Sequence, residues 1–543
     1  MTAPYFIGID VGTGSARAGV FDARGHLLAS AKRAITIWHA AGSIVEQSSE
    51  QIWKAVCDSV RDAVATAGIA ATDVAGVGFD ATCSLVAVKA DGVPVAVGPS
   101  GDPARNIIVW MDHRAAGEAE EINAGNHAVL RYVGGRISPE METPKLLWLK
   151  RNLPQSFAAA DHFFDLADYL TWRATGSLER SVCTVTCKWT YLAHEQRWDA
   201  QYFRDIGLGE LADEGFVRIG TDIVEPGTAL GHGLSEAAAR DLGLAVGTPV
   251  GASLIDAHAG GVGTLGGQDA AGNADISNRL AYIFGTSACS MASSAAAVFV
   301  DGVWGPYYSA MVPGLWLTEG GQSAAGAAID HLVTMHPAAD EARAKAEAEG
   351  LLLVAWLDRQ AGEACKKASD AVVLAKSIQV VPEFLGNRSP FADPDARAVI
   401  SGLALETGID DLVALYVAGL CGIGYGLRQL LEKLSQDGIA CNLIVASGGA
   451  AQSGLVRQLL ADTANMPVAV ADTEEPVLLG AAMLGATAGG HYGSLAEAMA
   501  AMSRLAKLFA PADGAIKALH ERRYAAFELL QSADRSIRSL MAP

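Results

Sequence analysis

IGIDVGTGSARAGVFD, residues 7–22, puts a carboxylate at the end of an apolar run, two glycines directly after it, and then an alternating stretch. A phosphate loop of the G-x-x-x-x-G-K-[ST] kind needs a lysine and a helix after its glycines, and neither that spacing nor the lysine follows Gly12 and Gly14. A dinucleotide fingerprint also opens a helix, whereas Ser15 to Asp22 alternates with a period near two and reads as a strand. The turn Asp22-Ala23-Arg24-Gly25 leads into another short strand, His26 to Ala29, so the glycines belong to the tip of a β-hairpin. Backbone amides at such a tip can hold phosphate oxygens, and an adjacent acid such as Asp10 can hold Mg²⁺ through water. Taken alone, Asp10 to Gly14 suits an ordinary glycine hairpin with a solvated aspartate equally well.

The chain of 543 residues has room for two or three domains. Its net charge of -20 argues against nucleic acid or an acidic membrane as partner, and bound ATP would need locally placed cations or Mg²⁺. No basic region precedes an apolar signal core, and Asp10 interrupts the first apolar run. Leu280 to Val300 is uncharged, but Gly285, Thr286, Ser287, Ser290, Ser293 and Ser294 make it a poor membrane span. A cytoplasmic protein is expected. The 8 scattered cysteines suggest reduced thiols. Cys183, Cys187 and His194 lack the further C-x₂-C or H-x₃-H that would complete a zinc site, and most of the cysteines read as core residues.

Strands and helices alternate along the chain. Ser48-x-x-Gln51 reads as a capping box, followed by Ile52, Val56, Val60 and Val64 on one helical face. A strand from Val74 to Phe79 ends at Asp80, and another from Thr248 to Ile255 ends at Asp256 before AHAGGVGTLGG, whose small residues allow close packing of a helix or close approach to a ligand. LAYIFGTSACSMAS, from Leu280, repeats the strand, glycine turn, strand pattern, so the opening hairpin has an echo in the second half. A long helix from Asp411 to Leu434, a strand Leu443 to Ala446, the turn Ser447-Gly448-Gly449, a helix Gly454 to Ala464 and a strand Val468 to Ala471 follow. Two similar halves facing one another would put both hairpins on one cleft, with the division in the glycine-rich stretch Gly267 to Asn273. His336 to Lys376, rich in Ala, Glu, Lys and Asp, reads as an accessory helical insertion with a solvated charged face.

These residues resemble the FGGY family of carbohydrate kinases. The similarity runs nearly end to end and in order: Asp10-x-Gly12-Thr13-Gly14, VWMDHRA at 109–115, TPKLLWLK at 143–150, LIDAHAGGVG at 254–263, FGTSACSM at 284–291, EGGQSAAG at 319–326, GNRSPFADPDARAVISGL at 386–403 and ASGGAAQSGLVRQLLAD at 446–462. The resemblance implies an α/β fold of two RNase H-like domains of the actin, Hsp70 and sugar kinase superfamily, facing a central cleft. They would span 1–268, with the sugar site and catalytic base, and 269–543, with the nucleotide site. It implies Asp256 as catalytic base and sugar contact, Asp10 as organiser of Mg²⁺, and Gly12, Thr13, Gly14, Ser15 and Arg17 in the first phosphate hairpin. Gly285, Thr286 and Ser287 match the second phosphate loop, and Gly448, Gly449 and Ser453 the adenosine-binding motif. Lys188 in TCKWTY, Glu319, and Asp80, Ala81 and Thr82 in GFDATCSL match sugar contacts of ribulokinases.

The chemistry agrees with that assignment: phosphoryl transfer asks for an aligned hydroxyl, neutralised charge and a carboxylate to accept the hydroxyl proton. Each residue also has an ordinary reading. Asp256 could cap the next helix, Lys188 could be a surface lysine, and Glu319 a solvated or paired acid. His258 lacks the G-x-S-x-G elbow of a hydrolase and reads as a packed histidine or one supporting the site from behind. Gly261-x-Gly263-x-x-Gly266 matches G-x-G-x-x-G, but no acid lies about twenty residues beyond it to meet a ribose. The expected activity is ATP-dependent phosphorylation of a ketopentose, D-ribulose to D-ribulose 5-phosphate. L-ribulose, D-xylulose or a pentitol are the alternatives within the family, and an actin-like ATPase or a non-catalytic sugar-binding regulator outside it. Ala81-Thr82, where xylulokinases carry Met-His, tilts the reading away from D-xylulose. Sugar and ATP are the expected partners, and a homodimer stays open.

Overall fold

The computed structural model describes residues 4–40, 42–268 and 275–541, with the side chains of residues 450 and 451 left aside. Most of the glycine-rich stretch expected to divide the halves, 269–274, lies outside the described residues.

In the first half, β1 (Tyr5–Gly12), β2 (Ser15–Asp22) and β3 (Leu27–Ala34) form an antiparallel meander. Helix α1 (Ser49–Ala67) follows, then β4 (Val74–Ala81), α2 (Val182–Trp189), β5 (Val250–Ile255) and α3 (Asp256–Leu265). β4 lies parallel to β1, and β5 parallel to β4, giving the sheet order β5, β4, β1, β2, β3. The period of two sorts β1 by face. Ile7, Ile9 and Val11 join the core under Ile52, Val56 and Val60 of α1, whereas Phe6, Gly8 and Asp10 face the other way. α1 starts where the sequence places it, Ser48 Oγ accepting the Gln51 N–H, and stops at Gly68 in a left-handed conformation.

The second half repeats this order. β6 (Arg279–Phe284), β7 (Ala288–Ser294), β8 (Trp304–Tyr308) and β9 (Trp316–Gln322) precede α4 (Gly326–Thr334). Then come α5 (Ile409–Gln436), β10 (Leu443–Ser447), α6 (Gly454–Ala464), β11 (Val468–Ala471), α7 (Pro476–Ala488) and β12 (Leu505–Phe509). β6 and β7 are antiparallel, as are β7 and β9, while β10 pairs parallel to β6 and β11 parallel to β10. Strand for strand this matches the first sheet, with β8 and β12 added at its edges.

Each half sends a helix across to the other. α7 lies on the first sheet: a Cβ built on Gly8 would stand 1.9 Å from the Leu478 carbonyl oxygen, and one on Gly78 1.9 Å from that of Ala481. α3 lies against the second sheet, Gly260 meeting Ile283 and Gly261 meeting Met291 and Met311. Where α3 and α7 cross, a Cβ on Gly263 would come 1.9 Å from the Pro476 carbonyl oxygen, and one on Gly480 1.9 Å from that of Ala259. The G-x-G-x-x-G spacing is therefore a helix-crossing face, where the absent side chains let two backbones touch.

The segment expected as a solvated insertion forms helices at Ala339–Ala348 and Leu353–Glu363 and a short 3₁₀ run at Ala368–Ala375. Its charges are not all on a water-facing surface. Trp356, Leu357, Ala371 and Val372 enter the second core beside α5, and Asp358 bonds inward to Ser453 Oγ at 2.7 Å. Among the described residues α5 is the one helix long and apolar enough to cross a membrane, and 78% of its apolar window is buried inside the protein.

Candidate active site

The repeated topology brings the ends of three neighbouring parallel strands together. Asp10 on β1 and Asp80 on β4 are cross-strand partners, Asp80 is in register with Leu254 on β5, and Asp256 follows two residues later as the first residue of α3. Beside them a cleft of about 390 Å³ is lined by Asp10, Gly12 to Ser15, Arg17, Lys32, Thr82 and Asp256 from the first half and by Ser287, Glu319 and Arg388 from the second. Lys188, Trp110, Glu140, Cys83, Cys289 and Trp304 also line it.

Both hairpin tips are pinned through their carbonyls. Gln47 Nε2 donates to the Thr13 carbonyl at 2.7 Å and the Ile35 N–H to that of Gly14 at 3.1 Å, while Trp110 Nε1 donates to Thr13 Oγ1 at 3.0 Å. On the second tip, Ala325 and Ala327 N–H donate to the Thr286 carbonyl and Gly326 N–H to that of Gly285. The N–H groups of Thr13, Gly14, Thr286 and Ser287 take no partner among the described residues. A Cβ on Gly14 would meet nothing within 4 Å. Two rigid turns with spare amides and open space are what a polyphosphate requires.

The acids differ in their surroundings. Arg17 holds Asp10 through two donors on Oδ2, one at 2.7 Å, and reaches Glu475 at 2.7 Å with a third. Asp80 is fully buried and both its oxygens lack a well-formed hydrogen bond among the described residues. Burial, then the charges of Asp10 and Asp256, push its carboxyl well above the usual range, which favours its neutral form. Asp256 is pushed up to about 6 by burial and by Asp10, against the opposing pull of the Ala257 N–H that it accepts at 2.7 Å.

At the other end, Lys188 closes α2 and lies 7% exposed, with Nζ 5.4 Å from the Trp304 ring centre. The Arg388 guanidinium lies 5.5 Å from the same ring. Burial works to discharge Lys188, but the Cys83 thiol and then Glu319 beside it hold its pKa well above the ordinary lysine value. Burial would likewise raise Glu319, yet the hydrogen bond and charge of His258, helped by Lys188 and Arg388, bring it down to about 2. His258 Nε2 is 3.3 Å from Glu319 Oε2, and its Nδ1 3.0 Å from Cys183 Sγ. His194 packs in tilted ring contacts against Tyr132 and Trp316 rather than with Cys183 and Cys187.

Of the residues singled out from sequence, Asp10, Gly12, Thr13, Gly14, Ser15, Arg17, Thr82, Lys188, Asp256, Ser287 and Glu319 line the one cleft. Asp80 and Ala81 do not: they are wholly buried on β4, and Thr82 is the first residue of that motif to reach the cavity. Gly285 and Thr286 stand behind Ser287 in the turn. Gly448, Gly449 and Ser453 lie outside the cleft wall. Gly448, at φ 92°, packs where a Cβ would meet the Phe284 carbonyl oxygen at 2.5 Å, which brings this loop against the second hairpin. Ser453 caps α6, accepting the Leu455 and Val456 N–H groups while its hydroxyl proton goes to Asp358.

Sequence reasoning missed Trp110, Glu140, Trp304 and Arg388. Trp110 and Arg388 stand inside quoted motifs and were legible there. VWMDHRA holds Trp110 through a buried cluster in which Arg114 pairs with Asp112 and Glu46 at 2.6 and 3.0 Å. In TPKLLWLK, Lys145 Nζ donates to the Glu140 carbonyl at 3.1 Å. Trp304 carries no local signal.

Comparison with known proteins converges on one group. Residues 5–263 match the N-terminal domain, and residues 280–489 the C-terminal domain, of the FGGY family of carbohydrate kinases. The chain is 45% identical over 514 residues to an FGGY carbohydrate kinase domain-containing protein of Homo sapiens, covering 93% of this chain and 92% of that one. It is 39% identical to a D-ribulokinase of Saccharomyces cerevisiae, covering 90% of this chain and 72% of the other. In fold it is similar to a xylulose kinase of Rhodospirillum rubrum, with a TM-score of 0.78 over 98% of this chain and 99% of that one at 22% identity.

Proposed function

Since the chain belongs to the FGGY family of carbohydrate kinases, we propose that it transfers the γ-phosphoryl group of ATP to the terminal hydroxyl of a ketopentose, D-ribulose first among them. The observation that carries this reading is the single cleft that holds both pinned hairpins, Asp256, Lys188 and Glu319. The similarity to the yeast D-ribulokinase supports the choice of sugar.

In this reading the amides of the two turns hold the triphosphate, while Arg17, Lys32, Lys188 and Arg388 supply the local positive charge that the net charge of -20 otherwise denies an anion. Glu319, ionised at any physiological pH, accepts hydrogen bonds from sugar hydroxyls, and charged Lys188 donates to sugar oxygens. Asp256 accepts the proton of the terminal hydroxyl as that oxygen forms its bond to phosphorus and the bond to the ADP oxygen breaks. A pKa of about 6 leaves Asp256 ionised at neutral pH and basic enough to take the proton.

The residues present fit Mg²⁺. Among the described residues no three His, Cys, Asp or Glu side chains gather as a metal cage, and Mg²⁺ in such enzymes is held by phosphate oxygens, water and one carboxylate. Asp10 would be that carboxylate, steadied by Arg17. Bound there, the ion would neutralise charge on the phosphates.

An ATP-coupled panel of D- and L-ribulose, D- and L-xylulose, ribitol and glycerol tests the reading. D-ribulose should give the highest kcat/KM, with D-ribulose 5-phosphate as product. ADP release that does not depend on any sugar would refute it.

A further inference from the structure

His258 sits two residues beyond Asp256 on α3, the helix that the first half sends across to the second sheet. It is 1% exposed and both ring nitrogens are engaged: Nδ1 with Cys183 Sγ at 3.0 Å, Nε2 with Glu319 Oε2 at 3.3 Å. Cys183 lies in the first turn of α2, whose last turn carries Lys188, and its sulfur also accepts the Ile255 N–H at 3.4 Å. Glu319 comes from β9 in the other half. The bridge therefore joins both sugar-facing side chains to the helix that presents Asp256.

We propose that His258, held by Cys183, is the positioning residue that fixes the Glu319 carboxylate toward the sugar. This rests on the reading of the cleft as a ketopentose kinase site. A glutamate side chain has three free torsions, and a fixed donor behind one oxygen leaves the other aimed at a ligand.

The charge balance fits the geometry. Burial would strip the imidazole of its second proton, but Cys183 and Glu319 hold His258 at about 10. Burial would likewise keep the Cys183 thiol protonated, but the contacts from Cys187, His258 and the Ile255 N–H pull it down. The other groups that face Glu319 are Lys188 on α2, Arg388 on the 386–403 loop, the thiols of Cys187 and Cys289, and Tyr307 on β8. Only the first two of these carry charge at neutral pH, so His258 is the third cation on this carboxylate and the one hydrogen-bonded to it.

The test is steady-state kinetics of His258→Ala, His258→Gln and Cys183→Ala with the preferred ketopentose and ATP, alongside thermal unfolding. His258→Ala should raise the sugar KM at least tenfold and leave the ATP KM within twofold. Its sugar KM should climb further from pH 7 to pH 5, where the wild type stays flat, because Glu319 without its closest cation titrates upward. His258→Gln, which can still donate to Glu319, should recover most of the loss at pH 8. Cys183→Ala should shift the sugar KM in the same direction by less, and adding it to His258→Ala should bring no further loss. A folded His258→Ala with unchanged sugar KM and pH profile overturns the proposal, as does an equal rise in both KM values that tracks a lower unfolding temperature. A wild type that phosphorylates no sugar in the panel removes the functional reading, and this proposal with it.

Discussion

The indole N–H of Trp110 donates to the hydroxyl of Thr13 at 3.0 Å, tying a motif more than ninety residues away to the tip of the first hairpin. The buried cluster of Asp112, Arg114 and Glu46 fixes the backbone on which Trp110 stands, so the hairpin is held from a rigid support. Trp110→Phe removes that one bond and keeps an aromatic, if smaller, side chain. A single hydrogen bond contributes about 0.5–1.5 kcal/mol, so the ATP KM should rise by up to about tenfold while the sugar KM moves less. Thr13→Val should have a similar effect, and the double variant should cost little more than either single one when the three are assayed side by side.

Replacing Asp256 by Asn removes the proton acceptor without changing shape. The kcat should fall by about 10²–10⁴-fold, with sugar and nucleotide binding retained by calorimetry. In the wild type, kcat/KM should drop as pH falls through about 6, because the base must be ionised and burial has raised its pKa to that value. The stability sign is opposite. A carboxyl whose folded pKa lies above its unfolded one favours the folded state at low pH and loses that advantage as pH rises through 6. Asp256→Asn should therefore unfold at a higher temperature than the wild type at pH 8, and at the same temperature near pH 4.

Ser453→Ala separates two roles for one hydroxyl. Its Oγ caps α6 and donates to Asp358, and loss of a cap costs about 1 kcal/mol. Thermal unfolding should register that cost, while the ATP KM should stay within about twofold. A large rise in ATP KM at unchanged stability would return Ser453 to the nucleotide site.

Gly263→Ala places a methyl group into a backbone carbonyl at the crossing of α3 and α7. Overpacking of this kind costs about 1–3 kcal/mol. Differential scanning calorimetry should show the loss, and kcat should fall with it, because α3 carries Asp256 at its first residue.

Much of this was legible in the chain because it is written locally. A period of two on either side of a glycine turn gave both hairpins, and α6 and β11 begin and end at the residues their patterns predict. Asp256 was visible as an acid at the end of an apolar run. What could not be read depends on segments remote in sequence. Asp80 looks like Asp10, and both stand on strands with neighbours on either side, but Asp10 lines the cleft while Asp80 is enclosed away from it. The partner of the Ser453 hydroxyl, Asp358, lies 95 residues away and has no local signal at Ser453. Trp304 is an aromatic residue in a short strand until Lys188 and Arg388 are found around its ring.

The exchange of α3 and α7 also bears on how the chain could be divided. A gene cut within 269–274 would leave the first fragment with an uncovered sheet, since the helix that shields Gly8 and Gly78 is encoded in the second. The second fragment would lack α3 in the same way. Each piece expressed alone should aggregate, and the two expressed together should reassemble and recover turnover, making this architecture a natural split-protein reporter.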